Sequence, residues 1–310
     1  MLWLKYSLRV SILVVIFCGC EDNSPELPPT PRYITSFGAW GTDPGEFEYP
    51  RPIAVGPDSL LYVGDTGNKR IEIFTNLGKF VRQWPLAGAP KMIAVAPDSS
   101  VYVVLNYGMS PGRYSQDGQL ISPINLVTVV SGLEVDAFGN LYVSGLRIYG
   151  PDPFNPFIEG PYFWKFNSQL ELVKKWGYPG PSDTTGWSGG RMTWNSKGNL
   201  LVLGEVDSTT TLIEFTPNGE LVSSSKIPAL AAHLLEDVAC DRSGEILISS
   251  PFNSLIYVFD SRGRQITEFS EVNKDQEPLD QPAGIEVDSS GSLYVVDFAR
   301  YRVVKYDQVP

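Results

Sequence analysis

The chain has 310 residues, 43% of them apolar and 12% aromatic, which is enough for a large buried core. Its formal charge is −11, and such an acidic surface repels phosphate backbones, so no nucleic acid is expected as a partner. The 29 glycines and 25 prolines are spread along the whole sequence, a composition that suits many short strands joined by turns rather than long helices.

Residues 1–19 read as a signal peptide: Lys5 and Arg9 form a positive start, and Val10 to Cys18 is an apolar run too short for the ~20 residues of a membrane span. Its end, Phe17-Cys18-Gly19-Cys20, resembles a bacterial lipobox with Phe17 in place of the usual aliphatic, which makes Cys20 the expected lipid anchor. Residues 20–32 carry Pro25, Pro28, Pro29 and Pro31, which keep them extended as a tether. The expected location is extracytoplasmic, held to a bacterial membrane through the lipid alone. Cys240 is then the one cysteine of the body, read as a small buried hydrophobe.

The rest of the chain, 33–310, is repetitive. An apolar triplet, a turn and a second apolar triplet recur six times, from Ile53-Ala54-Val55 with Leu61-Tyr62-Val63 to Ile285-Glu286-Val287 with Leu293-Tyr294-Val295. In each unit, nine residues separate the first residue from the middle of the second triplet. Turn sequences such as Ala137-Phe138-Gly139-Asn140 lie between, so each pair is a hairpin. Unit starts are 40 to 59 residues apart, room for four short strands, which is one propeller blade. The sixth unit runs out of chain after its third strand, whereas Tyr33-Ile34-Thr35-Ser36-Phe37 resembles the fourth strand Gln265 to Phe269. The expected fold is therefore all-β, a six-bladed β-propeller of four-stranded antiparallel blades closed by 33–37.

Residues 37–84 resemble an NHL repeat through Gly45-Glu46-Phe47, Ile53-Ala54-Val55, Tyr62-Val63, Asp65, Gly67-Asn68 and Arg70-Ile71. Residues 282–306 match again at Gly284-Ile285, Val287-Asp288, Tyr294-Val295, Asp297 and Arg302-Val303. The chain looks like the six-bladed propeller lipoproteins of bacteria. In such repeats the Asp is expected to cap the turn after the second strand and the Arg to pack beside it.

Ligands of propellers gather at the loops around the channel mouth. The residues just before the inner strands are expected there: Arg51, Lys91, Ser131, Arg191, Glu236, Asp237 and Ala283, with Arg51, Lys91 and Arg191 as a cationic patch. In blade three, Ser144 to Trp164 read as an insertion whose aromatics, among them Tyr149 and Phe154, either form a lid or pack on their own blade; Trp187 stands as a neighbouring candidate. No catalytic set stands out. His233 has no histidine partner, no G-x-S-x-G stretch occurs, and no cofactor or metal is implied. The leading reading is a binding or scaffolding module for a peptide, protein or glycan. The alternative is a metal-assisted hydrolase or lactonase of the gluconolactonase type, using Glu236 and Asp237. Deleting 33–37 is expected to destabilise the whole ring, seen as a large fall in melting temperature.

Overall fold

The computed structural model describes residues 31–308, apart from 106–110, 127, 150–156, 178–187, 207–208, 228–234 and 274. The apolar triplets lie in strands and the segments between them are tight turns. In several turns the first side chain fixes the backbone: Asp136 Oδ1 accepts the N–H groups of Phe138 and Asn140, and Asp288 Oδ1 those of Ser290 and Ser292.

The strands form six antiparallel four-stranded sheets, arranged as the blades of a ring. The inner strands are Pro50–Val55, Pro90–Val95, Val129–Val135, Ser188–Trp194, Asp237–Cys240 and Pro282–Val287. In five blades the four strands follow one another in sequence, whereas in the sixth the outer strand is Tyr33–Phe37, paired with Arg302–Gln308. Tyr33 stands opposite Tyr306 and Phe37 opposite Val303, which is the closure that the truncated sixth repeat requires. The core is divided into six wedges, one between each pair of neighbouring blades. Tyr62, Tyr102, Tyr142 and Tyr294 occupy the same place on four second strands, each at most 1% exposed, and pack into four different wedges. Turn glycines seal the wedges from outside: Gly118 has φ +83°, and a Cβ there would fall 2.5 Å from the Trp84 ring of the preceding blade.

The blade-three insertion is mostly a lengthened hairpin. Strands Leu141–Tyr149 and Phe157–Phe166 pair throughout, with Arg147 opposite Glu159 and Tyr149 opposite Phe157. Both strands are rich in aromatic and aliphatic residues that favour a paired ribbon. Phe163 and Trp164 are buried, and the Phe163 ring stacks 5.5 Å from Trp176. Those aromatics serve packing.

The Asp and Arg of the two best-preserved repeats pin long loops to the ring. Asp65 is fully buried; its Oδ2 accepts from Arg70 Nε at 2.7 Å and Asn68 Nδ2 at 2.8 Å, and its Oδ1 from the Glu48 N–H at 2.7 Å. Arg70 spends its remaining N–H groups on the carbonyls of Thr42, Asp43 and Glu46 and on Gln83. Blade six repeats the device: Asp297 accepts from Arg302 Nε at 2.8 Å and from the Asp280 N–H at 2.8 Å. Replacing Arg70 with Met is expected to cost about 3–5 kcal/mol in urea unfolding, because Asp65 would be left as an uncompensated buried charge.

Candidate functional site

The inner strands converge on a central channel lined by residues of all six blades. Its free volume is about 40 Å³, room for a few waters, so a larger ligand must sit on its mouth rather than enter it. The mouth is shaped by β-bulges. Pairing of the inner with the second strand slips between Pro50 and Ile53, between Pro90 and Met92, between Val130 and Gly132, between Gly189 and Arg191, and between Pro282 and Ile285. A bulge leaves residues out of the ladder and re-aims their side chains. Arg51 and Lys91 lie within two of these bulges, and Arg191 directly follows a third. Close approach of neighbouring blades fixes them further: a Cβ on Gly284 would fall 2.3 Å from the Arg51 carbonyl oxygen.

Glu236 organises the mouth. Its Oε1 accepts from Arg51 Nη1 at 3.2 Å and from Arg191 Nη2 at 3.3 Å, so one carboxylate serves two guanidinium groups. Arg51 also lies 4.6 Å above the Phe298 ring, which stacks on Tyr49 at 5.6 Å. Lys91 makes no ion pair among the described residues. Burial and then repulsion from Arg191 lower its ammonium below the usual lysine range, with Glu236 opposing. Three cations thus share one carboxylate at the rim.

Below the rim the lining turns from basic to acidic side chains. Glu134 and Glu286 each sit in the middle of an inner-strand triplet, on opposite blades three and six, and both line the channel with Asp237. Burial favours the protonated form of all three, reinforced at Glu134 and Glu286 by neighbouring carboxylates. Glu286 is pushed up to about 8, Asp237 to about 6 with Arg191 opposing, and Glu134 well above the carboxylate range. Asp237 Oδ2 also accepts the Ile285 N–H at 3.2 Å, which ties blade five to blade six.

The structure therefore gathers Arg51, Lys91, Arg191 and Glu236 at one mouth and sets Asp237 deeper. Ser131 and Ala283 occupy bulges but add no charge. Tyr149 ends a strand of the blade-three hairpin, on another part of that blade's sequence; Phe154, Trp187 and His233 lie outside the described residues, as does Cys20. Cys240 is half-buried, and burial pushes its thiol up to about 12, which leaves it a poor nucleophile. Among the described residues no group of three His, Cys, Asp or Glu is placed to hold a metal ion. The channel acids Glu134 and Glu286 were not expected from the sequence, although a signal was present: the other four triplets carry Ala54, Ala94, Thr193 and Ala239 at that position.

No family model matches the chain. Protein brain tumor of Drosophila melanogaster is 29% identical over 129 residues, a match that covers 37% of this chain and 12% of that protein. Among solved structures, a Bacteroides thetaiotaomicron protein of unknown function is 13% identical with a TM-score of 0.61, over 88% of this chain and 76% of that one. A gluconolactonase of Xanthomonas campestris is 14% identical with a TM-score of 0.60, over 84% and 86% of the two chains. Virginiamycin B lyase from Staphylococcus aureus is 14% identical with a TM-score of 0.56, over 88% and 87%. These likenesses define the fold class, a six-bladed β-propeller with NHL-like repeats. Within that class the structural neighbours include lactonase- and lyase-type propellers alongside proteins of unknown function, so the shared fold leaves a binding scaffold and an enzyme both open.

The channel acids give the fold a defined pH response. Above about pH 4 the unfolded chain gives up these protons while the folded chain keeps them. Their contribution is therefore complete below that point and is lost as pH rises through 6 and 8. The double variant Glu134→Gln, Glu286→Gln is expected to melt several degrees above the parent at pH 8 and close to it at pH 4, in thermal unfolding followed from pH 4 to 9.

Proposed function

We propose that this chain is a cell-envelope lipoprotein, anchored through Cys20, whose propeller binds a peptide, protein or glycan by an anionic group at the channel mouth. The observation that carries this reading is the charge balance of the rim: Arg51, Lys91 and Arg191 face one another with Glu236 as the shared counter-charge. Three cations against Glu236 and the deeper Asp237, in a protein of formal charge −11, amount to a local site for an anion rather than a general polyanion surface. Arg51 and Arg191 are oriented by Glu236 before any ligand arrives, which lowers the ordering cost of binding. Among the described residues Lys91 makes no ion pair that a ligand would have to displace.

The leader and the proline-rich segment 20–32 support the envelope location. A metal-assisted lactonase is supported less well. It would need Glu236 and Asp237, and the first is engaged by two arginines while the second holds the Ile285 N–H.

The triple variant Arg51→Gln, Lys91→Gln, Arg191→Gln is expected to keep the β-sheet circular dichroism of the parent. It should retain less than about a tenth of the parent's affinity for a bound carboxylate ligand by calorimetry, the loss expected when two or three charge-assisted hydrogen bonds are removed. Unchanged affinity would place the ligand elsewhere.

A further inference from the structure

The mouth opens sideways into a second hollow of about 480 Å³ between blades five and six, within the size range of small-molecule pockets. Arg51 and Glu236 line both spaces, so the hollow continues the cationic rim. Its other walls are Leu235, Pro251, Phe252, Ser254, Asp280 and Gln281. Phe252 is 78% exposed, an aromatic face turned to solvent at the edge of a polar recess. Its walls are held in shape without a ligand. Ser254 and Gln281 both adopt left-handed backbone conformations, at φ 55° and 57°, and the Gln281 N–H donates to Ser254 Oγ at 3.3 Å. The same turn conformation recurs at equivalent positions of other blades, at Tyr49 as at Gln281 and at Lys69 and Tyr301 as at Ser254, so the hollow's walls are part of the repeated frame. Asp280 is fixed from both sides: its N–H donates to buried Asp297, and its carboxylate pairs with Arg300 at 2.8 Å.

We propose that the mouth and this hollow together form a saccharide site, for a short carbohydrate carrying one carboxylate, such as a uronic acid residue beside a neutral sugar. The proposal rests on the reading of the mouth as an anion site and adds the class of ligand. The carboxylate lies on Lys91 and the two arginines, and the adjoining ring stacks its C–H face on Phe252. Hydroxyl pairs of that ring meet Asp280, Glu236 and Gln281, groups suited to donors and acceptors set side by side. One acidic group suits the site better than several, because the chain as a whole is acidic, with a formal charge of −11 that includes the site's own cations, and it repels further anions.

The test is calorimetry of the propeller with four probes. They are a glucuronosyl-glucose disaccharide, its galacturonosyl counterpart, the methyl ester of the first, and an acetylated Glu-Phe-Gly peptide. At least one acidic disaccharide is expected to bind, with its methyl ester about tenfold weaker. Phe252→Ala and Lys91→Gln should each weaken binding about tenfold, whereas Phe138→Ala, 86% exposed at the turn beyond the far end of an inner strand, should leave it unchanged. Equal binding of acid and ester, or no effect of Phe252→Ala, would overturn the proposal. Lys91-dependent binding of the peptide without either disaccharide would overturn it while leaving the anion site standing. Binding of no probe would remove both.

Discussion

Each blade of this ring buries its faces against two neighbours, and that arrangement holds for blades one and six only because Tyr33–Phe37 completes the sheet that ends with Arg302–Gln308. A sheet left with three strands would expose a long edge and loosen the wedges on both sides of blade six. The closing strand contributes directly to its surroundings: the Phe37 ring lies 4.9 Å from that of Phe74 of blade one, tilted against it, and Tyr33 packs beside the blade-five and blade-six wedge. Both Asp–Arg devices described above stand in the blades that flank the closure. Asp65 with Arg70 and Asp297 with Arg302 stiffen the loops on either side of the join between blades one and six.

A six-fold scaffold makes its strands alike, so chemistry resides in the positions where blades differ. The bulge recurs in five inner strands, yet it presents Arg51 and Lys91 in two blades and uncharged residues in others. The triplet centre is small in four blades and carries Glu134 and Glu286 in two. The outcome is a channel that differs at two depths: cations at the rim, where an incoming anion meets them, and below them carboxyl groups that hold their protons and stay neutral. A passage this narrow is closed to ligands, so those acids act on stability.

The blade count, strand order and closure were legible because they are set by spacing and by alternation of apolar residues, which a single sequence displays directly. The Asp–Arg pairs were legible for the same reason, since they recur at a fixed offset. The mouth was legible only as a set of positions. That Glu236 rather than Asp237 pairs with Arg51 and Arg191 depends on a register slip in blades one and four and on its absence in blade five, which no local pattern records. The Ser144 to Trp164 stretch leaves a lid and packing on its own blade both open, because an aromatic-rich insertion looks alike in both; pairing partners on Leu141–Tyr149 decide for the blade. Phe252 went unnoticed because exposure of an aromatic in a turn is a property of the assembled surface.

The closing strand also has a mechanical meaning. Chain upstream of residue 33 joins the molecule at its rim, on the outermost strand of blade six, so any pull transmitted along it arrives first at the join between the two ends. Arg32 sits at that point: its N–H and Nε donate to the Asp307 carboxylate, and its carbonyl accepts the Asp307 N–H. At 77% exposure such a pair adds little to equilibrium stability. Placed at the entry point, it bears load before the Tyr33–Tyr306 rung does, as a cable clamp spares the joint behind it.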